Sequence, residues 1–218
     1  MMTIHWDLIY NFAIAMLAIV NPVEKIPLWV TASASDRKNF QWLLAALVVF
    51  TCAVVLLFFL WYGQQLLMSL KVDLASFKIG GGLILLQFGF SMMKGTAVKI
   101  AKARETREHG LREKVLRRYQ QIFIPIGVPV IAGPGAITTV IIYGHQSTSL
   151  FTLLLLSVVV VAVLTILFLT LLSGSFIQRK VGNLPLVLIS RVFGMIIIAI
   201  AVQFMVEGFS VVFPGWVQ

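Results

Sequence analysis

Helix breakers and charged side chains interrupt the first long apolar stretch of the sequence. Asn21, Pro22 and Pro27 flank the adjacent charges of Glu24 and Lys25. Proline has no backbone N–H and clashes with the carbonyl four residues earlier, so such a break frees backbone groups. Free N–H groups at the start of a half-helix favour a carboxylate, and free carbonyls favour an ammonium group or a cation. This pattern predicts a site for a small zwitterion.

A later apolar stretch contains a second break. Gly133, Pro134 and Gly135 form it, and Thr138 and Thr139 follow closely. Threonine hydroxyls at this position either contact a ligand or bond back to carbonyls of their own helix. The breaks begin about 14 and about 12 residues into their stretches, near the middle of a bilayer core about 30 Å thick. The predicted substrate-binding residues are Asn21, Pro22, Pro27, Gly133, Pro134, Gly135, Thr138 and Thr139.

The two adjacent charges of the first break have two readings. Charged residues inside a membrane helix usually serve a function, so Glu24 is a candidate for ion coupling. Coupling to H⁺ would involve Glu24 first, whereas Na⁺ leaves no clear acidic signature in the sequence. The alternative is that Glu24 and Lys25 neutralise each other or reach the nearby interface.

Membrane-spanning helices must position these residues. The 218 residues are 60% hydrophobic and only 11% charged, and the mean hydropathy is +0.99. A soluble domain of this composition could not cover its core with polar surface. The apolar stretches that reach the length of a span cover residues 7–31, 40–63, 73–94, 121–144, 150–173 and 184–210. The predicted fold class is an all-α integral membrane protein with six transmembrane helices, of which spans 1 and 4 are broken.

Other chemistry is not indicated by the sequence. His5, His109 and His145 lie at span ends or in loops without ligand partners at suitable spacing, so no metal site is predicted. A phosphate-binding loop and a Ser/His/Asp set at membrane depth are both missing. The single cysteine, Cys52, excludes an intramolecular disulfide. We expect neither an enzyme nor a cofactor, with Na⁺ or H⁺ as candidate coupling ions.

The positions of Lys and Arg predict the orientation of the chain in the membrane. Loops after the first, third and fifth spans hold thirteen basic residues, against Lys71 alone on the other side. The basic loops are therefore predicted to be cytoplasmic, with both termini outside. The segment 94–118 is expected to contact anionic headgroups. Nucleic acid is not expected there, because the segment has no aromatic residue before Tyr119 and includes three glutamates.

An internal repeat is visible in the sequence. The Asn21 break is echoed by the Gly133 break 112 residues later, and Lys78 is echoed by Arg191 113 residues later. The predicted organisation is a first three-span repeat (1–94), a basic loop (95–120) and a second three-span repeat (121–218). Because each repeat has an odd number of spans, the second must be inverted. Inverted repeats with paired broken helices are typical of transporters with a midplane site.

These residues resemble the MarC family of bacterial-type inner-membrane proteins, which includes small neutral amino acid transporters. The matching positions are Asn21, Pro22 and Pro27 in the first span, Lys78, Gly81 and Gly82 in the third, Pro129 to Ile137 in the fourth, Arg191 and Gly194 in the sixth, and Phe213 to Gly215 near the end. The resemblance implies six spans, outside termini and transport of glycine, alanine or similar solutes. Glu24 departs from the pattern, since the family usually has glycine there.

The function predicted from the sequence is secondary transport of small neutral amino acids by alternating access around the midplane site. A passive small-solute channel is one alternative, although the spans carry few polar residues to line a pore. A non-transporting membrane scaffold is the other. The expected partners are a zwitterionic substrate and the lipid bilayer. The sequence does not indicate the oligomeric state.

Overall fold

The computed structural model describes residues 6–33, 38–94, 132–147 and 149–214. The secondary structure of these ranges is entirely helical. In chain order the helices are α1 (Trp6–Val20), α2 (Pro22–Ser33), α3 (Lys38–Ser69), α4 (Leu74–Lys94), α5 (Pro134–Gln146), α6 (Leu150–Val181) and α7 (Asn183–Val212). The predicted all-α class is confirmed for this part of the chain.

In the described ranges, five segments are long and apolar enough to cross a membrane. They are Trp6–Pro27, Asn39–Ser69, Leu74–Lys94, Leu150–Val181 and Leu184–Val212. The protein is therefore a multi-pass membrane protein. The remaining predicted span, 121–144, is described only from Ala132 onward, and the basic loop 95–120 lies outside the described residues.

Helices α3 and α6 are longer than the apolar stretches that predict them. Each has 32 residues, or about 48 Å at 1.5 Å per residue, against a hydrocarbon core of about 30 Å. The helices continue beyond the predicted spans 40–63 and 150–173, because α3 ends at Ser69 and α6 at Val181. Hydropathy marks the hydrocarbon-embedded part of a helix, whereas the hydrogen-bonded helix continues into the polar headgroup region.

Helices α4 and α7 pack antiparallel and close enough for their backbones to touch. A Cβ added to Gly82 would lie 2.8 Å from the Ala201 carbonyl oxygen, and one added to Gly208 would lie 2.7 Å from that of Ala75. Glycine is therefore required at both positions. Gly80 of α4 differs from Gly82, because a Cβ there would meet nothing within 4 Å.

An ion pair also joins α4 to α7. The ammonium of Lys78 lies 2.7 Å from Glu207 Oε2, with the two side chains 13% and 35% exposed. Gln203 donates to the other carboxylate oxygen of Glu207 at 3.0 Å. This bond stays within α7, because a residue four positions along the same helix is within reach.

The short helices α2 and α5 each pack against a long helix from the other half of the chain. Helix α2 packs against α6, and α5 packs against α3. Gly174 of α6 lies against α2, because a Cβ there would be in van der Waals contact with Val30 and Ile26, at 3.4 and 3.6 Å. On the other side, a Cβ on Gly63 of α3 would collide with Ile141 of α5. Each short helix thus packs against a glycine of a long helix, and we call these two residues, Gly63 and Gly174, the seat glycines.

Gly80 and Gly82, two positions apart on α4, provide a matched test of the α4–α7 contact. We expect Gly82→Ala to destabilise the protein by about 1–3 kcal/mol, because the new methyl group meets the Ala201 carbonyl. We expect Gly80→Ala to be neutral or stabilising, because alanine is the better helix former by about 1 kcal/mol. Thermal unfolding of the purified protein in detergent checks both. Equal melting temperatures for the two variants would contradict this packing.

The ion pair is tested by a double-mutant cycle on Lys78 and Glu207. Lys78→Met leaves a half-buried carboxylate without its cation, and we expect a loss of about 1–2 kcal/mol, between the values for exposed and buried pairs. Exchanging the two residues (Lys78→Glu with Glu207→Lys) is expected to restore most of the loss. The measurement is again thermal unfolding. Additive effects of the single substitutions would show that the two charges do not interact.

Candidate functional site at two helix breaks

The first break is a single residue. Helix α1 ends at Val20 and α2 begins at Pro22, and Asn21 between them has a φ of 39°. Asparagine adopts this left-handed region more readily than most non-glycine residues. Its N–H still donates to the Leu17 carbonyl at 2.9 Å, which completes α1. Pro22 occupies the first position of α2, where a missing N–H costs nothing. The predicted break in the first span is present.

The side chain of Asn21 is buried with half of its hydrogen-bonding capacity unused. Asn21 is 0% exposed, and its Oδ1 accepts weakly from the Glu24 N–H at 3.4 Å, as an N-terminal cap. Its Nδ2 has no hydrogen-bond partner in the described part of the chain. A buried amide left in this state costs about 1–3 kcal/mol. Within the described ranges, the site therefore presents a donor that lacks an acceptor.

Pro27 does not extend the break. It lies within α2, so the expectation that the whole stretch from Asn21 to Pro27 breaks the span is wrong. The fixed φ of proline is compatible with a helix, and what α2 loses is the N–H that would reach the Val23 carbonyl. That carbonyl is an acceptor about one turn from the break.

Glu24 and Lys25 form an ion pair at the start of α2. The ammonium of Lys25 lies 3.1 Å from Glu24 Oε2, with side chains 0% and 27% exposed. It also lies 5.7 Å from the ring centroid of Phe88 on α4, within reach of a cation–π interaction. Because the Lys25 side chain is buried, its ammonium does not reach the membrane interface, and the alternative that it does so is wrong. The two charges neutralise each other.

The second break is described on its C-terminal side. Gly133 is extended, with φ −71° and ψ 176°, and α5 begins at Pro134 without a side-chain cap. The Gly133 carbonyl accepts from the Ile137 N–H at 3.0 Å, which starts the helix. Gly135 is buried whereas Pro134 is exposed. An uncapped helix N-terminus offers free N–H groups and a positive dipole end to an anion.

The structure brings the two breaks together. A Cβ added to Gly135, just after the second break, would lie 4.0 Å from Cγ2 of Ile19, just before the first. It would also lie 2.7 Å from Leu85 Cδ2 on α4, so a larger residue here would require the Leu85 side chain to shift. Helices α1 and α5 pack against each other accordingly. The end of α1 and the start of α5 are thus neighbours in space.

The two threonines of α5 face inward but differ in role. Thr139 is fully buried and its hydroxyl donates to the Gly135 carbonyl at 2.9 Å, which is the back-bonding arrangement. Thr138 packs against Gly81 of α4, where a Cβ would collide with it. Thr139 therefore adopts the back-bonding alternative, and Thr138 lies in the contact between α5 and α4.

Some residues around the breaks were not anticipated from the sequence as neighbours of the site. The thiol of Cys52 on α3 accepts a hydrogen bond from the backbone of Ala132, just before the second break. The ammonium of Lys25 lies over the ring of Phe88, and Leu85 of α4 lies against Gly135 of α5. No pattern within their own helices marks these partners. Among the described residues, no group of three or more His, Cys, Asp or Glu is placed to hold a metal ion.

Comparison with known proteins identifies the family. The model of MarC family integral membrane proteins matches residues 6–213. A UPF0056 membrane protein of Buchnera aphidicola is 27% identical, covering 94% of this chain and 93% of its own length. One from Aquifex aeolicus is 31% identical and covers 89% of each chain, and Escherichia coli YhcE is 26% identical over 94% of each. No solved structure matches this chain.

The family match extends from the start of α1 to the end of α7 and includes both helix breaks. The relatives are full-length matches that are named as membrane proteins, in agreement with the five spanning segments. This chain belongs to the MarC family of integral membrane proteins.

Proposed function

We propose that this protein is a secondary transporter of small neutral amino acids such as glycine and alanine. The observation that carries the proposal is the buried amide of Asn21 at a helix break, whose Nδ2 has no acceptor among the described residues, together with the uncapped start of α5. Both groups are donors that suit a carboxylate. The Val23 carbonyl, freed by Pro27, and the Glu24 carboxylate are acceptors for the ammonium group. A small zwitterion satisfies both sets.

Alternating access requires two halves that can rock against each other, and we propose six spans arranged as two inverted three-helix repeats. The reciprocal packing of α2 on α6 and of α5 on α3 is what a two-fold relation between the repeats would produce. The seat glycines support it, since Gly174 follows Gly63 by 111 positions. The breaks and the basic pair Lys78 and Arg191 repeat at nearly the same offset. Inverted repeats of this kind bind substrate at their interface.

The excess of Lys and Arg in three of the loops supports placing those loops in the cytoplasm, with both termini outside a bacterial-type inner membrane.

We propose transport without ATP hydrolysis or a resident cofactor, driven by a gradient of Na⁺ or H⁺. Glu24, which is partly exposed beside the break, is the first candidate for proton coupling. The basic segment 94–118 is proposed to contact anionic headgroups.

Uptake of radiolabelled glycine and alanine into proteoliposomes tests this function. We expect saturable uptake that depends on a Na⁺ or pH gradient and that is lost when Pro22→Ala and Pro134→Ala are combined, because continuous helices satisfy the groups that bind substrate. Uptake that rises linearly with concentration would indicate a channel. No uptake by folded protein under any gradient would contradict transport of these amino acids and favour a scaffold.

The Asn21 amide is tested by Asn21→Gly. Glycine adopts the positive φ of this position without strain, so the break is kept while the amide donor is removed. We expect the apparent affinity for alanine to fall about tenfold, the typical worth of a hydrogen bond to a charged group. Thr165→Val, which removes an exposed hydroxyl of α6 that bonds its own helix, is the control. Unchanged affinity in Asn21→Gly would remove Asn21 from the site.

A further inference from the structure

We propose that the Glu24–Lys25 ion pair is exchanged for the two charges of the substrate, and that this exchange determines specificity for net-neutral solutes. The carboxylate of the substrate replaces Glu24 on the Lys25 ammonium, and its own ammonium pairs with the released Glu24. This inference rests on the proposed function, because it assigns residues and a selection rule to the same site.

The two donor residues of the site lie at the start of α2, with Asn21 just before the helix and Lys25 in its first turn. Asn21 and Lys25 are four positions apart, which is about one helical turn. A side chain on a helix leans towards the N-terminus, so the Lys25 stem is directed towards the turn that carries Asn21. Both residues are 0% exposed. We therefore expect both side chains to reach an anion that is bound near the start of α2.

These two residues have more donors than the described chain satisfies. The ammonium of Lys25 has three donors and the amide of Asn21 has two. Lys25 contacts one carboxylate oxygen of Glu24 and the face of Phe88, and Asn21 Nδ2 contacts no acceptor in the described ranges. A pair that served only to neutralise charge would not account for the idle amide of Asn21. A carboxylate with two oxygens accounts for both residues.

The partners differ in their freedom to move. Lys25 is enclosed and lies over Phe88, whereas the Glu24 side chain keeps 27% of its surface exposed. Glu24 is thus the member that can turn away without opening the core. In the empty site its carboxylate occupies the place where a substrate carboxylate would bind.

Charge balance then selects the substrate. An unpaired charge in a buried site is strongly unfavourable, whereas a paired one is tolerated. A zwitterion leaves both Glu24 and Lys25 paired after the exchange. A monoanion would leave Glu24 without a cation, and a monocation would leave Lys25 without an anion. The ion pair therefore disfavours solutes with a net charge.

The test is binding of alanine, propionate and ethylammonium to purified protein, measured by calorimetry and by shifts in melting temperature. In Glu24→Gln, Lys25 has no competing carboxylate, and we expect propionate to bind about tenfold tighter than to the unsubstituted protein. In Lys25→Gln we expect the opposite preference, with ethylammonium gaining about tenfold. The mirror-image variants keep the test valid if one of them does not fold.

Glu207→Gln is the matched control, because it breaks a second ion pair of similar length that lies on α4 and α7. We expect its ligand preference to equal that of the unsubstituted protein. Unchanged preferences in Glu24→Gln and Lys25→Gln would overturn the exchange. The outcome is separate from the proposed function, since alanine uptake by the unsubstituted protein decides that, whereas a gain in propionate binding decides the role of the pair.

Discussion

A polypeptide inside hydrocarbon must satisfy its backbone polar groups within the protein, and this constraint governs the structure around the two breaks. Asn21 meets it by bonding its own N–H to Leu17 and by capping α2 with its side chain. The second break meets it in part through the Cys52 thiol, which bonds the backbone of Ala132. The breaks are tolerated because α3, α4, α6 and α7 enclose them. In the described part of the chain, the side-chain donor that remains without an acceptor at the breaks is Nδ2 of Asn21.

The enclosure depends on close packing rather than on a hydrophobic force, because lipid chains are as apolar as the helix surfaces. Glycines let α4 and α7 approach to backbone contact and seat α2 and α5 against the long helices. The small residues thus contribute dispersion contacts that the lipid would otherwise make less densely. The Lys78–Glu207 pair adds a polar link to the same α4–α7 contact.

Local signals in the sequence predicted most of the fold. Apolar length located the five spanning segments of the described ranges, proline beside asparagine located the first break, and proline beside glycine located the start of α5, because these signals act within a few residues. The partners of the site depend on tertiary contacts and could not be predicted in this way. The burial of Lys25 requires α4 with Phe88 to lie beside α2, and the Lys78–Glu207 pair joins residues 129 positions apart. The ends of α3 and α6 were misplaced because apolarity reports the lipid boundary, not the last helical hydrogen bond.

The single-residue break at Asn21 makes α2 a lever arm. Two backbone dihedral angles join it to α1, and its 12 residues extend about 18 Å from the pivot. A rotation of about 10° at Asn21 would displace the Ser33 end by about 3 Å, which is enough to open or close a passage for a small solute. Gly174 has no side chain at its contact with Val30 of α2, so at this point α6 does not obstruct a displacement of α2.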